Sequence, residues 1–323
     1  MTSDIEIYGR GALPPRLETR LDQHFTLHRD PNQMPDEDWL ARHGASVHGM
    51  ANASFSPLTA ELMDRLPNLQ IISSLGVGYD LIDVAAARAR GIMVTHTPDV
   101  LNADVANYAL LLLLAASRDL LAQDDFVRSG RWAAGGRAQL TNTLEGATLG
   151  IVGLGRIGRV LAKKLEIFGG PILYHGRSAQ PDVPYEHCPD LVEMAARCDA
   201  LILLLPGGAG THRIINARVL EALGPGGILV NVARGSVVDQ PALIAALEAG
   251  RLGRAALDVF DDEPNVPQAL RDSDRVLLSP HAASATVETR TAMFDLTADN
   301  LIAWFRDGAP LTPVPECRDM GQD

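Results

Sequence analysis

The stretch TLGIVGLGRIG, residues 148–158, reads as a short apolar strand, a turn through Gly153 and Gly155, and a helix beginning near Gly158. Gly153 lets the chain turn sharply, Gly155 lets a pyrophosphate approach bare backbone, and Gly158 lets the helix pack closely on the strand. The free N–H groups and dipole of a helix N-terminus favour phosphate charge. Gly153, Leu154, Gly155, Arg156, Ile157 and Gly158 are therefore the candidate pyrophosphate-binding turn. An ordinary strand–helix turn can carry the same glycines by chance in a chain with 29 of them. The flanking strand and helix patterns favour the dinucleotide reading.

Outward from that turn, apolar runs recur at 149–152, 172–174, 200–205, 228–232, 255–259 and 276–278. Helical stretches at 159–168, 189–197, 216–223 and 240–248 separate them. The runs are continuous rather than alternating, as a parallel sheet covered on both faces requires. Six such strands predict a doubly wound dinucleotide-binding domain. The first hundred residues read as a smaller α/β unit, with strands at 5–8, 25–28, 46–48, 70–74 and 93–96 and helices at 57–65 and 81–90. A helix over 104–120 is too apolar to be left in water and is expected to pack between domains or against another subunit. A last helix over 287–306, followed by a proline-rich tail, can carry the chain back to the N-terminal unit.

Bulk properties bound the function. With 323 residues, 46% hydrophobic and 21% charged, the chain has the size and balance of a two-domain enzyme. Its net charge of −12 argues against nucleic acid and anionic membranes as partners. An anionic substrate stays possible, because local arginines can override that field. Cys188, Cys198 and Cys317 are widely spaced with no CxxC pair, so neither a disulfide scaffold nor a zinc cluster is expected, and no metal site is assigned. The opening MTSDIEIYG lacks an apolar leader, and the longest apolar run, 109–116, is too short to span a bilayer. A cytoplasmic location is the expectation.

The second strand of the dinucleotide unit ends near Tyr174, where an NAD site usually places an acid against the adenosine ribose. This chain has His175, Gly176, Arg177 and Ser178 instead. Arg177 can fork onto a 2′-phosphate and Ser178 can add a hydroxyl bond, with no carboxylate to repel that phosphate. NADP(H) is therefore expected to be preferred, with NAD(H) used less efficiently. The competing reading is a surface arginine, with adenine held by apolar contacts alone. Further candidate cofactor contacts are Pro206, Thr211, Val232, Ala233, Arg234 and His281.

Arg234 in NVARGS, Glu263 in DVFDDEP and His281 in LLSPHAAS each follow a buried-strand pattern. In a doubly wound sheet those strand ends open onto the ligand crevice. Their types suit reduction of a 2-oxo acid. His281 as imidazolium can protonate the carbonyl oxygen, and Glu263 can hold the other ring nitrogen and favour the charged ring. Arg234 can pin the carboxylate and polarise the carbonyl. Taken singly, each has a plainer reading: a loop carboxylate beside Pro264, a packing or capping histidine, an arginine satisfying strand-end carbonyls. In the smaller unit, the glycine turn of Leu75, Gly76, Val77 and Gly78 exposes backbone N–H groups suited to a carboxylate, or is an ordinary strand–helix turn.

These residues resemble the D-isomer-specific 2-hydroxyacid dehydrogenase family, and within it the glyoxylate/hydroxypyruvate reductase branch. The similarity runs from about Leu58 to Pro315, with GLGRIG at 153–158, NVARGSVVD at 231–239, DVFDDEP at 258–264 and SPHAAS at 279–284 in the family order. LGVGYDLID at 75–83 and VTHTPDVLNADVAN at 94–107 match its inter-domain segments. The resemblance implies an α/β fold of two Rossmann-like domains. One is a doubly wound coenzyme domain over 99–286; the other is a smaller, discontinuous, flavodoxin-like substrate-binding and catalytic domain over 1–98 and 287–323. It implies Arg234, Glu263 and His281 as the catalytic set and Val77, Gly78, Arg234 and Ser284 at the substrate, with Asp258 on the nicotinamide amide. It also implies homodimers joined through the coenzyme domains, with the helix after Asp104 in the interface and Trp132 reaching the partner's cleft. Besides the missing second-strand acid, which argues for NADP rather than NAD, two positions depart from the family pattern, Asn107 and Asp99, neither of them catalytic. The expected reaction is NADPH-dependent reduction of a small 2-oxo acid, glyoxylate or hydroxypyruvate favoured, to the D-2-hydroxy acid. Reduction of 2-ketogluconate or an aryl-pyruvate is the near alternative. An NAD(H)-sensing transcriptional corepressor is the alternative from another class.

Overall fold

A computed structural model describes residues 4–30, 35–53 and 56–320. The first three residues, part of the stretch that argued against a leader, lie outside that range. The chain divides into two units, Met1–Leu101 with Thr286–Asp323, and Asn102–Ala285.

The first unit runs β1 (Glu6–Arg10), α1 (Pro15–Asp22), β2 (Thr26–Asp30), α2 (Glu37–His43), β3 (Val47–Asn52), α3 (Ala60–Asp64), β4 (Ile71–Ser74), α4 (Val84–Ala89) and β5 (Met93–Thr95). Its sheet is parallel with strand order β2-β1-β3-β4-β5, the flavodoxin-like doubly wound order. Ile7, Tyr8, Val47, Met50, Ile71, Ile72 and Val94 are fully or almost fully buried, as the inner strands of a parallel sheet covered on both faces require. The helix after Thr286 belongs to this core: Ala298 and Leu301 are buried with Ile7 and Met50, and Ser73 Oγ donates to the Thr297 carbonyl at 2.9 Å. Helices α1 and α2 were not foreseen from sequence. Each buries only one or two leucines, Leu17 and Leu21 or Leu40, among charged residues, so neither shows a broad apolar stripe.

The second unit runs α5 (Asn102–Ser117), α6 (Leu120–Arg128), β6 (Leu149–Val152), α7 (Arg156–Leu165), β7 (Ile172–His175), β8 (Glu186–His187), α8 (Leu191–Arg197), β9 (Ala200–Leu203), α9 (Ala217–Leu223), β10 (Ile228–Asn231), α10 (Gln240–Glu248), β11 (Arg254–Leu257), α11 (Gln268–Arg271) and β12 (Val276–Leu278). Seven parallel strands pair in the order β12-β11-β10-β9-β6-β7-β8. The order reverses between β6 and β9, and ligands of such sheets bind at that switch point.

Three expectations are corrected here. The sheet has a seventh strand, because Glu186 and His187 extend it beside β7 through pairing rather than apolar pattern. Helix α7 starts at Arg156, with Gly155 at its N-cap, and not near Gly158. The helix expected over 104–120 starts at Asn102 and stops at Ser117. Asp119 adopts φ 50°, and its carboxylate binds Arg254 at 2.8 and 2.9 Å, so α6 begins as a separate helix. No single helix among the described residues is long and apolar enough to cross a membrane. The helix over Val287–Asp307 is α12.

Candidate active site

The glycine turn is built by close approaches. Gly153 has φ 102°, and a Cβ at Gly158 would stand 2.4 Å from the Gly153 carbonyl, so α7 can fold back on β6 only with glycine there. A Cβ at Gly155 would meet nothing within 4 Å, so its approach is open. The Arg159 N–H makes the first intrahelical bond of α7, to the Gly155 carbonyl at 2.9 Å, so the helix N-terminus opens at the glycine turn. Leu154 is buried, and its carbonyl accepts the Gln180 amide at 2.8 Å; the Gln180 N–H in turn donates to the Tyr174 hydroxyl at 2.7 Å. Gln180 thus ties the segment after β7 to the glycine turn. That role left no signal in the sequence.

At the end of β7, His175 Nδ1 lies 2.9 Å from the Cys188 carbonyl, and His187 Nε2 lies 3.1 Å from the Gly176 carbonyl. These bonds hold the turn that displays Arg177 and Ser178, both exposed. Arg177 enters no ion pair among the described residues. Asp182, the next carboxylate along the chain, is paired with Arg159 at 2.5 Å. After β9, the Thr211 hydroxyl donates to the Pro206 carbonyl at 2.7 Å and closes that loop.

Asn231 at the end of β10 shapes the turn that carries Arg234. Its Oδ1 accepts the Ala233 N–H at 3.0 Å and its Nδ2 donates to the Arg234 carbonyl at 2.9 Å. Val232 and Ala233 are buried, whereas Arg234 is half-buried, with one guanidinium nitrogen donating to the Ala233 carbonyl at 2.8 Å. The next residue, Gly235, presses on the loop after β11: a Cβ there would stand 1.9 Å from the Phe260 backbone.

On that neighbouring loop, Glu263 accepts the Phe260 N–H at 2.9 Å with one oxygen and meets His281 Nδ1 at 2.7 Å with the other. Burial pushes the Glu263 carboxyl up. The hydrogen bond and charge of His281, the Phe260 N–H and the charge of Arg234 outweigh it and hold the group below the ordinary carboxylate value. Arg234, Glu263 and His281 are thus brought together at the C-terminal strand ends of this unit.

His281 has φ 52°, unusual for a residue with a Cβ, and the surrounding bonds enforce it. Its N–H donates to the Asp258 carbonyl at 2.8 Å. The Asp258 carboxylate accepts the Ser279 hydroxyl at 2.5 Å, the Ala282 N–H at 2.7 Å and the Ala283 N–H at 3.0 Å. Ser279 Oγ also lies 2.7 Å from the Tyr108 hydroxyl of α5. Asp258 is 0% exposed, and its two oxygens take these three bonds from the segment around His281, so it holds that loop. Asn231, Ser279 and Tyr108 were missed from sequence; the available signal was a polar residue closing each of two apolar strands.

The remaining candidates are distributed as follows. Ser284 is half-buried in the second unit, three residues past His281. Trp132, also in that unit, is 63% exposed. Val77 and Gly78 follow β4 in the first unit; the Val77 carbonyl faces His96 Nδ1 at 3.0 Å, and the preceding Gly76 has φ 147°.

Residues 110–283 match the family model described as D-isomer specific 2-hydroxyacid dehydrogenase, NAD binding domain. The chain is 44% identical over 298 residues to glyoxylate/hydroxypyruvate reductase A of Arabidopsis thaliana, covering 92% of this chain and 95% of the relative. It is likewise 44% identical over 298 residues to hydroxyphenylpyruvate reductase of Plectranthus scutellarioides, with the same coverage of 92% and 95%. Among solved structures, an NADPH-dependent glyoxylate/hydroxypyruvate reductase from Sinorhizobium meliloti, in complex with NADP and malonate, superposes with a TM-score of 0.91 at 45% identity, covering 97% of this chain and 98% of that one.

Proposed function

The chain belongs to the D-isomer specific 2-hydroxyacid dehydrogenase family of oxidoreductases, and from its site we propose that it reduces a small 2-oxo acid to the D-2-hydroxy acid, preferring NADPH. Glyoxylate and hydroxypyruvate are the favoured substrates, as the names of the Arabidopsis and Sinorhizobium relatives suggest. The observation that carries the reading is the 2.7 Å pairing of His281 Nδ1 with Glu263, beside Arg234, at the strand ends of a sheet with an open glycine turn.

The turn fits a dinucleotide: Gly155 is open and the N-terminus of α7 follows directly. Arg177 and Ser178 would take the 2′-phosphate, with Asp182, the next acid along the chain, paired with Arg159. When bound, the reduced nicotinamide supplies the hydride that goes to the carbonyl carbon. Glu263 fixes the orientation of the His281 ring by accepting its Nδ1 proton, which leaves the other ring nitrogen to protonate the developing alkoxide. Arg234 binds the carboxylate and polarises the carbonyl, and the backbone of Val77 and Gly78 adds carboxylate contacts. NAD(H) is accepted less well, for want of a second-strand acid to bind the ribose.

Initial-rate kinetics with both coenzymes and a panel of 2-oxo acids tests this reading. Arg177→Ala should lower kcat/KM for NADPH by about tenfold to a hundredfold, the worth of one or two charge-assisted hydrogen bonds, and leave NADH nearly unchanged. His281→Gln should cut kcat by about 10²–10⁴ with little change in NADPH affinity. Equal coenzyme preference in wild type and Arg177→Ala would remove the NADPH assignment. A second reading, aryl-pyruvate reduction, is favoured by the equally similar hydroxyphenylpyruvate reductase and is separated by the same panel.

A further inference from the structure

A second group of chemistry-bearing side chains lies in the first unit, away from the residues just described in sequence. Glu6 opens β1, His28 lies on β2 opposite Tyr8, and His43 closes α2. A carboxylate oxygen of Glu6 and one ring nitrogen from each histidine all fall within 4.8 Å of one another, and all three residues are half-buried.

The surroundings prepare these donors. The Glu6 carboxylate meets His28 Nε2 and accepts the Ser46 hydroxyl at 2.5 Å. The β1–β3 register slips here, with Glu6 opposite Val47 but Ile7 opposite Gly49, and the intervening His48 turns its Nδ1 to the Glu6 N–H at 3.3 Å. Such a slip re-aims side chains. The rings of His28 and His43 lie 4.5 Å apart. Trp39 packs on both, at 6.2 and 5.3 Å, and Tyr8 backs Trp39 at 4.5 Å, so one side of the group is an aromatic wall. The His43 ring makes no hydrogen bond among the described residues, so the pairing of Glu6 with His28 does not account for its place.

We propose that Glu6, His28 and His43 bind a divalent transition metal of the zinc class, which ties edge strand β2 and helix α2 to β1. Two imidazoles and one carboxylate suit zinc, copper or nickel, whereas calcium and magnesium require oxygen ligands. Metal–donor distances of about 2.0–2.2 Å set the donor atoms roughly 3–3.5 Å apart, so the three side chains adjust as the metal enters. The metal replaces the proton shared by His28 and Glu6, and Ser46 stays as the outer partner that orients the carboxylate. A fourth position is left for water. The sequence reading assigned no metal because it followed cysteines; these donors come from three separate elements.

The test uses the full chain, stripped with a chelator and titrated with zinc chloride by calorimetry and by thermal unfolding. Wild type should bind one zinc per chain and gain several degrees in Tm. His43→Gln, a change of similar size in the last turn of a short helix, should keep wild-type circular dichroism and reductase activity but lose both zinc responses. Ser46→Ala should weaken binding by about 10–100-fold, as loss of an outer partner does. Copper should quench tryptophan fluorescence in wild type, and Trp39→Phe should remove most of that quenching. Zinc binding of unchanged affinity in His43→Gln would overturn the site, as would the absence of stoichiometric binding in wild type.

Discussion

A single buried carboxylate, Asp258, decides how the candidate base is held. Its two oxygens take three bonds from Ser279, Ala282 and Ala283, and its carbonyl takes the His281 N–H. Asp258→Asn keeps the shape but trades an acceptor for a donor that faces backbone N–H groups. The expected cost is about 1–3 kcal/mol of stability, the penalty of a buried unsatisfied group, with a loss in kcat and little change in KM for NADPH. Thermal unfolding together with coenzyme titration checks it, because a residue touching the nicotinamide would move KM first. Glu263 carries a pH prediction. Its folded carboxyl lies below the ordinary value of 4.5, so its contribution to stability is complete above that value and is lost as pH falls through the lower folded one. Glu263→Gln should therefore flatten the decline of Tm below about pH 4.5, without steepening it at neutral pH. Equal acid slopes in the two proteins would mean that the His281 contact does not favour the ionised carboxyl.

At the scale of elements, legibility followed the apolar pattern. The strands β6, β7, β9, β10 and β11 are mostly buried on both faces, and β12 is half-buried but equally apolar; all six were readable as continuous runs, with ends shifted by a residue or two. Strand β8 was not readable, because its two residues are polar and owe their conformation to β7. Helices α1 and α2 were hidden for the related reason that their buried faces are one or two leucines wide. The residue types of the candidate site were readable because Arg234, Glu263 and His281 interrupt the pattern just past strand ends. Their supports, Asn231, Ser279 and Tyr108, were not, since neither a bond inside one turn nor a side-chain bond between distant residues has a period. The start of α7 was misjudged because Gly158 looked like a boundary; it lies in the first turn, where contact with Gly153 forbids a side chain. Gly158→Ala must push α7 off β6, at a cost of about 1–3 kcal/mol for overpacking. Coenzyme affinity should fall with stability, because the turn that presents Gly155 moves too. Calorimetric titration and a melting curve measure both, and an alanine that changed neither would show that the helix can slide without harm.

For the whole molecule, sequence order and spatial order part company. The first unit closes its core with α12 from the far end of the chain, where Ala298 and Leu301 are buried beside Ile7 and Met50. Apolar periodicity could identify that helix but not its destination, which the buried face settles. A similar count of faces leads to assembly. Helix α5 buries Val105, Ala106, Ala109, Leu112 and Leu113 within its unit, yet leaves Leu111 and Leu114 exposed. Helix α6 has no buried residue at all, although it carries Leu120, Leu121 and Val127, each more than half exposed. A helix with no inward face has no reason, within one chain, to hold so much apolar surface in water. A second copy offering the same surface about a two-fold axis would cover both, since an isologous contact is self-complementary. The prediction is a homodimer by light scattering at micromolar concentration, and a monomer for the double variant Leu111→Glu with Leu121→Glu. Neither leucine is buried in its own unit, so the variant should keep its fold and circular dichroism. A wild-type monomer, or a variant that stayed dimeric, would place the contact elsewhere and leave these two helices without an account of their surface.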